Sequence, residues 1–171
     1  GLVPQLTGPA VHKLLQALRD SSADGFYTRQ WLHSNLLPTL HYLAHASWER
    51  GWTPAKAYKH FFEDLCGPRA MAPIATAFRA LENLTENLHT VAFHLSFPLP
   101  AFMAVLWENW PATHTPERLS EIARNFERIA NGLEQAVKVS KPAGKECLQS
   151  LERHCRHAVF FVNALTDLSA A

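Results

Sequence analysis

His41 and His45 stand four residues apart in a stretch whose apolar residues recur at helical spacing. On a helix this places two imidazoles one turn apart on one face, a usable pair of metal ligands. The zinc-protease form of the motif carries Glu directly after the first histidine. Tyr42 stands there instead, so that motif is absent. No neighbouring residue announces a third ligand, and the plainer alternative is a pair of partly buried or surface histidines. His154 and His157 flank Cys155 at helical spacing. Cys155 falls in an apolar stripe and points away from at least one of them, which argues against a joint metal site.

Carboxylate pairs offer less. Glu63 and Asp64 are adjacent, and neighbours on a helix point about 100° apart, so they do not converge as glycoside chemistry requires. Glu82 and Glu86 fall on the solvent side of a strong apolar stripe. There is no nucleophile elbow, phosphate loop or dinucleotide fingerprint. The sequence therefore holds no complete catalytic constellation and calls for no cofactor.

Trp31 is of another kind. It ends a short aromatic segment, residues 26–30, that lacks the helical period and reads as a strand. Arg29 and Asn35 lie close to it in sequence. A ring at a strand's exit can stack on the apolar face of a sugar while Arg and Asn bond its hydroxyls. Trp31, Arg29 and Asn35 are thus the candidate substrate-binding residues, against the alternative that Trp31 caps the helices.

The elements that must position these groups are mostly helices. Val11, Leu14, Leu15 and Leu18 mark a short amphipathic helix. Leu36, Leu40, Leu43 and Ala44 mark a second, ending near Gly51. Thr53-Pro54 and Thr115-Pro116 both pair an N-cap hydroxyl with a proline suited to the first helical position. Gly67-Pro68 is a stop, and Lys141-Pro142-Ala143-Gly144 a turn. Long stripes run from Met71 to Leu95, from Leu119 to Val137 and from Leu148 to Leu165, and an apolar segment with Trp107 and Trp110 spans 97–110. The expected fold is mainly α, an antiparallel helical bundle with at most one or two short strands near residues 1–5 and 25–30. Residues 1–35 form a loop, short helix and strand; residues 36–171 form the helical domain. Trp48, Trp107 and Trp110 suit core or interface packing.

With 171 residues, 47% of them apolar, the chain can bury a core and is not of disordered composition. A net charge of +1, with scattered Lys and Arg, supplies no footprint for nucleic acid. No apolar run reaches the ~18 residues of a membrane helix, and no signal peptide is visible. Gly1 in first place suggests a chain cut from a longer one. Cys66, Cys147 and Cys155 lack C-x-x-C spacing and leave an odd thiol. They read as reduced and mostly buried, which favours a cytoplasmic compartment.

The order of helix, Ala23-Asp24-Gly25, strand and Trp31 resembles the last helix and strand of a β/α barrel. The text from Leu40-x-Tyr42-Leu43-Ala44 through Trp48, Thr53-Pro54 and Leu65-Cys66-Gly67-Pro68 resembles the helical region after the barrel in bacterial glycoside hydrolase-like proteins of the N-acetylglucosaminidase and α-glucuronidase types. Phe97-Pro98-Leu99-Pro100 with Trp110 resembles part of the same region. This resemblance implies a carbohydrate-related helical C-terminal region that is not catalytic alone. Its partner would be a carbohydrate or the rest of a larger enzyme, with the acid and nucleophile on absent barrel strands. Two alternatives follow from the residues themselves: a free-standing interaction module, binding a protein partner or a second copy through the 97–110 surface, and a metal-binding bundle centred on His41 and His45.

Overall fold

The computed structural model describes residues 3–26, 37–91 and 115–170. Within them lie α1 (Gly8–Arg19), α2 (Leu37–Trp48), α3 (Pro54–Cys66), a 3₁₀ turn (Pro68–Ala70), α4 (Met71–Val91), α5 (Pro116–Val139) and α6 (Pro142–Ala170). The fold is mainly α, and the described residues contain no strand. Gly25 and Phe26 are not in a strand; residues 27–30, the rest of the expected one, lie outside the described residues. The 97–110 segment, with Trp107 and Trp110, lies outside them as well.

The helix boundaries follow local chemistry. The Thr53 hydroxyl accepts from the Lys56 N–H at 3.2 Å and the Thr115 hydroxyl from the Arg118 N–H at 3.3 Å, each ahead of a proline in the first turn. Each cap satisfies a backbone donor that the helix leaves free, worth about 1 kcal/mol. Gly67 ends α3 with φ +83°, a conformation that costs a Cβ-bearing residue dearly. The expected four-residue turn at 141–144 is shorter. Pro142 opens α6 and Gly144 is already helical. Gly144 packs against the end of α3, where a Cβ would strike Cys66 Sγ and stand 2.8 Å from the Leu65 carbonyl.

Helices α4, α5 and α6 form the bundle. Ala77, early in α4, lies 3.5 Å from the point where a Cβ on Gly132, late in α5, would stand, so the two run antiparallel. The short turn from Val139 to Pro142 sends α6 back along α5. Most of each stripe read from the sequence is a buried face: Ile74, Phe78, Leu81, Leu84 and Leu88 on α4; Leu119, Ile122, Phe126, Ile129 and Leu133 on α5; Leu148, Leu151, Cys155, Ala158, Val162 and Leu165 on α6, with Met71 and Val137 half-buried at the ends and Leu95 outside the described residues. Burying each large apolar side chain contributes about 1.5–3 kcal/mol. Val3 and Leu6 tuck into the same core. The Leu6 N–H donates to the buried Thr85 hydroxyl at 2.9 Å, and that hydroxyl donates to the Leu81 carbonyl at 2.7 Å.

A second, smaller core joins α1, α2 and α3. It holds Leu15, Tyr42, Ala46, Trp52 and Ala57. Here the sequence reading of α2 needs correction. Its buried face is Pro38, Thr39, Tyr42 and Ala46, while Leu40 and Leu43 are half-buried and Ala44 is exposed. Helix α2 is apolar nearly all round, so periodicity alone does not choose the face. Tyr42 is fully enclosed because its hydroxyl finds His12 Nδ1 at 2.6 Å. The Arg19 guanidinium donates to the Ala46 carbonyl and ties the end of α1 to α2. Trp48, expected in core or interface packing, is not in the core: it stands 90% exposed at the end of α2, and Trp52, four residues on, is the buried ring.

Among the described residues, no helix is long and apolar enough to cross a membrane.

Candidate metal centre

Turning the face of α2 toward Tyr42 and Ala46 carries the preceding residues, His41 and His45, to the side that meets α3. Helix α3 begins at Pro54 and runs back along α2, which brings His60 level with them. One ring nitrogen from each of His41, His45 and His60 lies within 4.8 Å of the others. His41 Nε2 and His60 Nδ1 are 3.1 Å apart, one nitrogen donating to the other. Two nitrogens on one tetrahedral zinc ion, with bonds of about 2.0–2.1 Å, stand about 3.3 Å apart. The His41–His60 pair is therefore already near ligand spacing, and a nitrogen of His45 lies within 4.8 Å of both. His41 and His45 are half-buried and His60 is exposed, so the cluster borders solvent.

Aromatic packing holds the rings. Trp52, 7% exposed, lies against His45 with centroids 4.1 Å apart and planes 17° from parallel. His41 stacks on His60 at 5.2 Å and 16° and meets His45 edge-on at 4.6 Å. Phe61 covers His41 from below at 5.4 Å. The Trp52 indole N–H donates to Glu49 Oε2 at 2.6 Å, and the Lys56 ammonium sits over the Trp52 ring, 4.7 Å from its centroid. Burial lowers the His41 pKa from its ordinary value, and the neighbouring His45 and His60 lower it further. Each effect disfavours a charged imidazole and favours the neutral ring that a metal requires.

Both candidate histidines of α2, His41 and His45, belong to the cluster. His60, the third, was missed because it lies on another helix, yet a signal was present. His41 stands ten residues before Gly51 and His60 nine after it. In an antiparallel hairpin turning at Gly51, those two positions face each other. His154 and His157 are exposed on α6 while Cys155 is buried in the core, so they share no site with it. Burial pushes the Cys155 thiol up to about 12, which leaves it a protonated core group.

Among the carboxylates, Glu63, Asp64 and Glu86 are exposed, and Glu86 pairs with Lys13 at 3.5 Å. Glu82 is a correction. It is not on a solvated face: its Oε1 is buried near Gly8 and faces the Tyr58 hydroxyl, which also meets Thr39 and the Gly8 backbone. Burial raises its pKa, against the pull of the Tyr58 hydroxyl and Arg79. Both groups line or border a cavity of about 350 Å³ between α3 and α4, walled by Met71, Ile74 and Phe78.

The candidate sugar-side residues Arg29, Trp31 and Asn35 lie outside the described residues. Comparison with protein-family models, curated proteins and solved structures gives no match.

Proposed function

We propose that this protein binds one divalent transition-metal ion through His41, His45 and His60. The observation that carries the reading is the convergence of three imidazole nitrogens from two helices within 4.8 Å. Imidazole suits zinc, copper, nickel and cobalt, whereas calcium and magnesium demand oxygen ligands. The ion ties α2 to α3 across the smaller core. Because the ligands converge only in the folded chain, binding stabilises the fold by about 2.7 kcal/mol at a hundred times the dissociation constant. Metal-free protein should take up one zinc or cobalt ion per chain in calorimetry and metal analysis, with a rise in melting temperature. His60→Ala and His41→Ala should abolish both effects, and His157→Ala should leave them intact. Equal uptake by all three variants, or none by the parent, overturns the reading.

A second proposal is the one implied by the sequence resemblance, a carbohydrate-related helical region of a glycoside hydrolase-like enzyme that is not catalytic alone. The all-helical build of residues 37–91 and 115–170 supports it. Loss of sugar binding in Trp31→Ala would test it.

A further inference from the structure

We infer that the three-histidine centre is of the open type: its fourth metal position faces solvent and takes an exchangeable water or small anion, no described side chain filling it. This rests on the metal reading above and adds what the ion does with its remaining valence.

Two observations and one rule of zinc chemistry carry it. Among the described residues, His41, His45 and His60 are the only His, Cys, Asp or Glu side chains that converge in this way. His60 is exposed and the other two are half-buried, so solvent reaches the point where the nitrogens meet. A structural zinc site is closed by four protein ligands, whereas three ligands and a water is the arrangement of a catalytic one.

A neighbouring acid is engaged elsewhere. Glu49 lies four residues beyond His45. Its carboxylate is held 2.6 Å from the Trp52 indole nitrogen, and Trp52 is fixed in turn by burial and by its stack on His45. Glu49 is thereby kept as a neighbour of the centre rather than a member of it.

Charge favours the same outcome. Three neutral imidazoles leave a divalent ion with its whole charge, and no described carboxylate or thiolate in the cluster offsets it. Such an ion draws an anion from solvent: hydroxide, azide, or the carboxylate of a small substrate. The chemistry recognised is therefore a small oxygen- or nitrogen-donor anion bound end-on to the metal.

Cobalt-loaded protein tests this, since the visible bands of cobalt report both coordination number and ligand exchange. Sodium azide is the probe, titrated into the parent and into Glu49→Gln, each fully loaded. The expected result is a saturable change in the visible bands with azide in both proteins, and identical starting spectra. Bands that ignore azide in the parent mean that the chain itself fills the fourth position and overturn the inference. A starting spectrum altered by Glu49→Gln identifies Glu49 as that ligand and overturns it too. Failure of cobalt to bind at all is a separate result, which removes the metal reading and the open site with it.

Discussion

Trp52 lies flat on His45, 4.1 Å between ring centroids, and donates its indole N–H to Glu49. One buried ring thus does two things. It completes the small core of α1, α2 and α3, and it fixes the orientation of an imidazole at the edge of that core. Trp52→Ala should therefore cost stability by about 3–5 kcal/mol, the usual loss for deleting a buried tryptophan. Trp52→Phe keeps an aromatic face and loses the hydrogen bond to Glu49, a bond worth about 1 kcal/mol net. Urea unfolding of the two variants separates packing from hydrogen bonding. If Trp52→Ala unfolds at the parent's midpoint, the small core contributes nothing to the cooperative unit.

His60 is exposed, so removing it from the metal-free protein should change stability by no more than about 0.5 kcal/mol. Zinc affinity should fall by more than about a hundredfold, since loss even of a residue that merely supports a ligand costs 10–100-fold. A chelator competition titration measures the second quantity and thermal unfolding the first. A large stability loss without metal would recast the three rings as a packed aromatic cluster.

The pH dependence has a definite sign. His41 has a folded-state pKa below its ordinary value of 6.5, chiefly through burial and secondarily through His45 and His60. As pH falls through about 6.5 the unfolded chain takes up this proton before the folded one does. The stability associated with a neutral His41 is thus fully present above that value and is lost as pH falls from it toward the lower folded-state pKa. Metal-free parent and His41→Gln should therefore converge in stability on acidification from about pH 7.5 to pH 5. Denaturant midpoints across that range check the slope, and parallel curves would mean that His41 titrates alike in both states.

How much of this was legible beforehand depends on the kind of signal. The three long stripes of α4, α5 and α6 repeat the same apolar step for many turns, and one face of each is enclosed as the spacing implies. The Thr-Pro starts at 53 and 115 act through atoms within four residues, so a linear sequence carries them entire. Helix α2 is different. Twelve residues, apolar nearly all round, have no preferred face until Tyr42 meets His12 across thirty positions. The His41–His45 pair was visible because both ligands lie on one helix. His60 came into view only once α2 and α3 were folded against each other about Gly51. Glu82 misled for the same reason: its neighbours Tyr58 and Gly8 lie on other helices, and nothing local distinguishes a carboxylate facing water from one facing a tyrosine.

That buried carboxylate gives a further test. Burial raises the Glu82 pKa above its ordinary 4.5, so the folded state holds the proton longer than the unfolded chain. Relative to Glu82→Gln, the parent should lose stability as pH rises from about 4.5 through the raised folded-state value, and the gap should then stay constant. Paired denaturation curves from acid to neutral pH measure it. A gap that opens in the opposite direction would show that Arg79 and the Tyr58 hydroxyl outweigh desolvation.

Gly8 opens α1 where three elements meet. A Cβ there would run into the Tyr58 hydroxyl and come within 3.0 Å of Glu82 Oε1 and Pro54 Cβ. Alanine normally favours a helix over glycine by about 1 kcal/mol, but here the added methyl overpacks the joint, which typically costs about 1–3 kcal/mol. The collision should win, because Tyr58 is buried and its ring is held edge-on against Phe78 at 5.5 Å. Gly8→Ala should therefore destabilise. Tyr58→Phe removes the oxygen that the methyl meets, so the double variant should recover a large part of the loss. A double-mutant cycle by urea unfolding reads the coupling directly. Additive losses would place α1 away from Tyr58 in solution, with its helix start held by some other contact.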